Sequence, residues 1–258
     1  MRLLLKHLLV ICASITSLPV LAQTATSPIT SALQASLQAE VGTVSLQDAT
    51  LGGTAETIAG ADDETGSFTF RGTAGGCSRV DIGLTSGTLS ETRQPGISSP
   101  LGAWMGEDGV AHSSVQHNLM SGYWWPFPAL IVNQLLTDSS MVVTFIGSEG
   151  SLFHFSGYQQ RSGASPGINS TLQQLTHFDL WLNGTTLLPA QLSFDIHPDT
   201  NAGVDIPVQV QYLNYQTIAG VTVATHIQKL INNTVAVDAQ IQTVNINTGL
   251  TPGVFSLQ

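Results

Sequence analysis

Apolar residues recur at every second position through much of the chain, most regularly over residues 204–247. Ile206, Val208, Val210 and Tyr212 alternate with polar neighbours such as Gln209 and Gln211, a period that puts one set of side chains on each face of a strand. Val221, Val223 and Ile227 oppose Thr222, Ala224, His226 and Gln228, and Val235, Val237, Ala239 and Ile241 oppose Thr234, Ala236, Asp238 and Gln240. Ala219-Gly220 and Asn232-Asn233 separate the three runs; Gly and Asn accept the positive φ of tight hairpin turns, so an antiparallel meander is predicted. After Ile241 the apolar residues move to even positions, Val244 and Ile246. An unbroken strand would turn these outward, so the shift predicts a β-bulge near Gln242 and Thr243.

Elsewhere the same chemistry repeats in shorter segments. Residues 43–59 read as a strand interrupted by Gly52-Gly53, residues 60–66 as an acidic turn, and Phe68 and Phe70 as alternating positions of the next strand. Val80, Ile82 and Leu84 alternate again, and Trp104 precedes a hairpin turn at residues 106–109. Residues 141–146 and 152–158 form a further hairpin; the first is apolar on both faces, which predicts a central strand covered twice. Residues 178–182 and 188–196 pair across Asn183-Gly184. Strands this regularly spaced predict one large antiparallel sheet or barrel, and no repeat of propeller or solenoid length interrupts them.

Two segments carry helical spacing. Ile29, Leu33 and Leu37 are four apart among Ala32, Ala35 and Ala39, predicting a short amphipathic helix from about Ser31 that Gly42 ends. Residues 119–128 hold Tyr123, Trp124, Trp125 and Phe127 beside Pro126 and Pro128, and residues 129–136 continue as a helix apolar on most sides. A proline in its first turn costs nothing, because that N–H has no partner in the helix. This helix either fills the core or closes an apolar chamber. A short helix over residues 168–175 and a C-terminal loop whose Leu250 and Phe255 tuck inward complete the chain.

Residues 1–22 read as a cleaved secretory signal: Arg2 and Lys6 precede an apolar run that ends in Val20-Leu21-Ala22. Ile11 before Cys12 departs from a lipoprotein signal, and the run is short for a membrane span. The expectation is a periplasmic or secreted protein of one domain over residues 23–258, not an integral membrane protein. Beyond residue 22 five cationic side chains face seventeen acidic ones, a net charge of −12. That balance disfavours nucleic acid and anionic membrane surfaces as partners. Cys77 remains alone, so stability must come from an ordinary core, and its thiol is expected to be a small buried group.

Catalytic patterns are weak. Gly163-Ala164-Ser165-Pro166-Gly167 fits the outline of a nucleophile elbow, but Pro166 lacks the N–H that the residue after the serine must give the oxyanion. His197, Asp199 and Asp205 share a loop that offers metal ligands at loose spacing. No paired-cysteine or H-E-x-x-H motif, phosphate cradle or dinucleotide fingerprint is present, so neither enzyme activity nor a cofactor is expected.

The order of elements resembles the outer-membrane lipoprotein carrier (LolA/LolB-like) superfamily. The resemblance is carried by residues 124–136, by Asp205-Ile206-Pro207-Val208-Gln209-Val210-Gln211-Tyr212-Leu213-Asn214-Tyr215, by residues 216–227 with their Ala-Gly turn, and by the terminal residues 247–255. It implies a mainly β fold: a strongly curved, open antiparallel half-barrel whose concave face is covered by helices. It further implies non-enzymatic binding of a lipid or an acylated protein in an apolar cavity, and an envelope protein partner. Trp104, Trp124, Trp125, Phe127, Leu130, Ile131, Phe153 and Phe155 are the expected cavity residues. Such carriers also latch their lid with a cavity arginine, which the resemblance does not place among Arg71, Arg79, Arg93 and Arg161. Two other readings stand beside it: a structural or protein-interaction module of the envelope with a filled core, and a metal-dependent enzyme using the His197 loop.

Overall fold

The computed structural model describes residues 27–60, 62–94, 101–120, 122 and 125–257. The expected signal segment, Cys12 and Trp124 lie outside them. Helix α1 (Pro28–Val41) leads into strands β1 (Asp48–Ala59), β2 (Asp62–Thr73), β3 (Ser78–Gly83), β4 (Thr88–Gln94), β5 (Leu101–Met105) and β6 (Ala111–Ser113). A 3-10 turn (Gln116–Leu119) and helix α2 (Pro128–Thr137) divide these from β7 (Met141–Glu149) and β8 (Leu152–Gln159). Helix α3 (Pro166–Thr176), β9 (Phe178–Asn183), β10 (Pro189–Ile196), β11 (Ile206–Ile218), β12 (Val221–Ile231), β13 (Thr234–Ile246) and a 3-10 turn (Pro252–Phe255) complete the order.

The strands form one antiparallel sheet, β6-β5-β4-β3-β2-β1-β13-β12-β11-β10-β9-β8-β7. Every neighbouring pair is consecutive in strand order except β1 and β13, whose pairing joins the two halves of the chain. The sheet ends at β6 and β7, which do not meet. It is strongly curved. Four strands separate β4 from β12, about 24 Å across a flat sheet at the usual strand spacing. Yet Glu91 on β4 and Lys229 on β12 lie near enough to shift each other's protonation. The expected open half-barrel is therefore the fold.

Local chemistry explains the pairing. Ala219-Gly220 and Asn232-Asn233 all have positive φ, as tight hairpins require. The bulge falls where the switch in alternation puts it: Gly52 pairs Thr243 and Gly53 pairs Ile241, leaving Gln242 unmatched. Gly52-Gly53 does not interrupt β1 but accommodates this bulge, since a Cβ on Gly53 would lie 1.9 Å from the Gln240 carbonyl oxygen. The acidic segment at 60–66 is likewise not a wide turn. Asp62 to Thr65 pair with Glu56 to Ala59, lengthening the hairpin.

Strand β7 corrects another expectation. It is an edge, not a central strand, and Phe145 and Ile146 are 44% and 56% exposed. The chain enters it from α2, which leaves no strand to pair on its outer side. Alternation alone cannot tell two covered faces from an apolar edge.

The terminal segments clasp the sheet. Ser27 caps α1, and Gly42 ends it with φ of 65°. Asp48 accepts hydrogen bonds from the backbone N–H of Thr248, Gly249 and Leu250 and from the Thr248 hydroxyl. Burial pushes its carboxyl up, but those donors together hold it below the ordinary value. Its contribution is present above the ordinary carboxylate range and is lost as pH falls through the depressed pKa. Asp48→Ala should cost about 1.5–3 kcal/mol at neutral pH, the usual worth of hydrogen bonds to a charged group, with a smaller difference in acid. Thermal unfolding of both proteins across that pH range checks this. Phe255 then tucks in fully, as expected of the C-terminal loop.

Candidate functional site in the hollow of the sheet

Directly paired residues share a face of the sheet, so the registers trace the rows that line its concave side. One row runs Val237, Lys229, Val210, Leu192, Leu180, Phe155, Phe145 from β13 to β7. Another runs Val244, Leu51, Phe70, Val80, Glu91, Trp104, His112 from β13 to β6. The rows are apolar except at Lys229 in the first and at Glu91 and His112 in the second.

Helix α2 lies in this hollow. Pro128 to Val132 are all buried, and Leu130 seats against β2 where Gly72 leaves room: a Cβ there would stand 2.7 Å from its methyl carbon. Pro128 is the first helical residue, as the sequence suggests, and Phe127 before it is fully buried. Trp125 packs edge-on to Phe68 at 6.2 Å and accepts at its carbonyl a 2.8 Å hydrogen bond from the Tyr212 hydroxyl. The Lys229 ammonium stands 5.1 Å from the Trp125 ring centroid. The segment thus touches β2, β11 and β12 at once.

Helix α1 backs α2, and Glu40 is buried beneath the first turn of α2. Neither carboxyl oxygen has a well-formed hydrogen bond, and the hydroxyls of Ser36 and Tyr215 are buried and unpartnered too. Burial pushes the Glu40 carboxyl well up, against a weaker pull from the Ala129 backbone N–H. Burial at the helix-helix contact thus favours the neutral form of this carboxyl.

On the opposite wall Arg93 Nε donates to Glu91 at 2.9 Å, and its Nη1 donates to the Asn118 carbonyl. An arginine of the concave face is thereby tied to the segment that leads into α2. Burial raises the Glu91 carboxyl, but Arg93 and Lys229 outweigh it and hold the group at about 2.

Among the described residues the space found beside α2 is small. Beside α2 a cavity of about 40 Å³ is lined by Met120, Ile131, Gln134, Met141, Phe178 and Phe194 among others. That is little more than one water molecule's share of liquid volume. The hollow is filled by α2 itself.

The expected cavity residues divide accordingly. Trp125, Phe127, Leu130, Ile131 and Phe155 come together in the core, and Phe153 packs on its margin. Trp104 belongs to the concave face but stands at the open edge, 43% exposed and stacked on His112 at 4.4 Å. Sequence reading missed Glu40, Glu91 and Lys229, and left Arg93 as one of four arginines without a place. Lys229 sits at the inward parity between Ile227 and Ile231, and Glu40 lies on the Leu33–Leu37 stripe, so a polar residue on an apolar face was the available signal.

The other candidates have local explanations. Ser165 caps α3, accepting from the Ile168 N–H. His197 is buried, with Nδ1 3.1 Å from the Val204 carbonyl oxygen and 3.4 Å from Asp205, while its own carbonyl accepts from Asn118. Among the described residues no three His, Cys, Asp or Glu side chains are grouped to hold a metal ion.

No protein-family model matches the sequence, and no curated protein matches it. Solved structures do. The fold is similar to that of a DUF1329 family protein from Desulfovibrio piger, with 13% identity, a TM-score of 0.53, and coverage of 90% of this chain and 100% of that one. It is similar also to a putative outer membrane lipoprotein-sorting protein domain from Vibrio parahaemolyticus, with 10% identity, a TM-score of 0.53, and coverage of 88% and 95%. A LolA superfamily protein from Nitrosomonas europaea matches at 12% identity and a TM-score of 0.48, over 88% and 96%. At this level of identity the likenesses concern the fold alone.

Proposed function

We propose that this protein is a non-enzymatic binding protein of the periplasm or the secreted space, exported by its N-terminal signal, that holds a lipid or the acyl chain of a lipoprotein in the hollow of its sheet. The observation that carries this reading is that a helix, not a strand, fills that hollow. Helix α2 is buried on apolar contacts, and its backbone hydrogen bonds are its own, so it can leave without breaking a sheet ladder. The seat it would vacate is a continuous wall of Phe, Leu and Val side chains. Burying an acyl chain yields about 0.8 kcal/mol per methylene, which offsets the loss of the α2 contacts once the chain is long enough. The Arg93 bond to Asn118 and the Tyr212 bond to Trp125 are the contacts that hold the segment shut.

A second reading rests on the same closed hollow: a space of about 40 Å³ suits an envelope interaction module with a permanently filled core. Titration of the delipidated protein with an apolar fluorescent probe, followed by displacement with lipid, separates the two. Saturable uptake reversed by lipid is expected; no uptake would favour the filled module.

A further inference from the structure

Five cationic side chains follow residue 22. Arg71 and Arg79 bind Asp81 on the convex face, Arg93 binds Glu91, and Arg161 lies in an exposed loop. Lys229, the one lysine among them, stands inside the hollow, in a row where its neighbours on both sides are Val210 and Val237. A lysine there gives up hydration for the attraction of Glu91 and the face of Trp125. Its ammonium faces the Trp125 ring, a contact that leaves its N–H donors unused. Among the described residues none offers it a hydrogen bond or an ion pair within 4 Å. Glu91, the nearest influence of opposite sign, is already engaged by Arg93.

The local charge is therefore the reverse of the whole. In a chain of net charge −12 beyond residue 22, this part of the hollow sets two cations against one carboxylate. An apolar occupant needs no such charge, and a half-buried ammonium without a hydrogen-bond acceptor costs more than one in water. An anion entering with its hydrocarbon would meet three free donors beside an aromatic face.

We infer that the hollow selects acyl ligands with an anionic head, a carboxylate or a phosphate, and that Lys229, beside Trp125, is the residue that receives that head. The inference rests on the reading that an acyl chain occupies the hollow, and it adds the class of ligand. The head would lie at β12, with the chain along the Leu192–Leu180–Phe155 row toward the β7 edge.

The test uses the delipidated chain without its signal segment, and ligands of one chain length: palmitate, a palmitoyl lysophosphatidate and hexadecanol, each competed against an apolar probe. Palmitate or the lysophosphatidate should bind about tenfold more tightly than the alcohol, and whichever is preferred identifies a carboxylate or a phosphate head. Lys229→Met should abolish that difference, and Lys229→Arg should retain it. Thermal unfolding of both variants shows that each is folded. Equal affinity for anion and alcohol in the unaltered protein would overturn this inference alone, as would a Lys229→Met protein that keeps the preference. Failure of all three ligands to bind would overturn it together with the reading beneath it.

Discussion

Phe127→Ala is expected to destabilise the protein by about 3–5 kcal/mol, the usual cost of emptying a fully buried phenylalanine site. For a chain of this size that lowers the melting temperature on the order of 10 °C. Phe127 has no exposed surface and immediately precedes α2, so its ring holds the helix at its entry to the hollow. The variant should also take up an apolar probe more readily than the unaltered protein, because part of the hollow is already vacant. Acyl ligand should then recover part of the lost stability, since it binds the folded state alone. Calorimetry with and without ligand measures both effects. A destabilised variant that ligand cannot restabilise would speak for a hollow that is merely core.

Glu40→Gln should stabilise the protein at pH 8 relative to pH 4, on the order of 1 kcal/mol or more, because the amide has no charge to give up on burial. Below the ordinary glutamate range, near 4.5, the carboxyl is neutral in folded and unfolded chains alike. As pH rises the unfolded chain ionises first, so stability is lost until the raised pKa of the folded carboxyl is reached. The difference between variant and unaltered protein should therefore be small near pH 4 and grow toward pH 8. Melting temperatures across that interval decide it; parallel curves would mean that the Glu40 carboxyl titrates alike in the folded and unfolded chain. Because Glu40 lies at the contact of α1 and α2, hydrogen exchange over residues 128–137 should quicken with pH in the unaltered protein and less so in the variant.

The strand framework was legible because alternation, turn chemistry and bulge are local. The parity switch after Ile241 located the unmatched Gln242, and Asn232-Asn233 its turn. Place in the sheet is a different matter. Met141 to Ile146 looks central by composition, and only the path of the chain from α2 makes it an edge. The aromatic helix was legible as apolar, but whether it roofs a chamber or fills one depends on how tightly the sheet curls, which no local pattern records. The same limit hid the polar residues of the hollow. Glu91, Arg93 and Lys229 meet only because strands far apart in order face each other across the curve. Each looked like an ordinary strand charge until the inward rows were traced.

Native mass spectrometry of the protein as purified, repeated after incubation with lipid vesicles, bears most directly on whether α2 yields its place to hydrocarbon. A discrete added mass is expected, released by organic extraction and identified as an acyl lipid, with exchange over residues 125–137 altered when it is bound. A bare polypeptide mass in both samples, with that segment's exchange unchanged, would contradict the account.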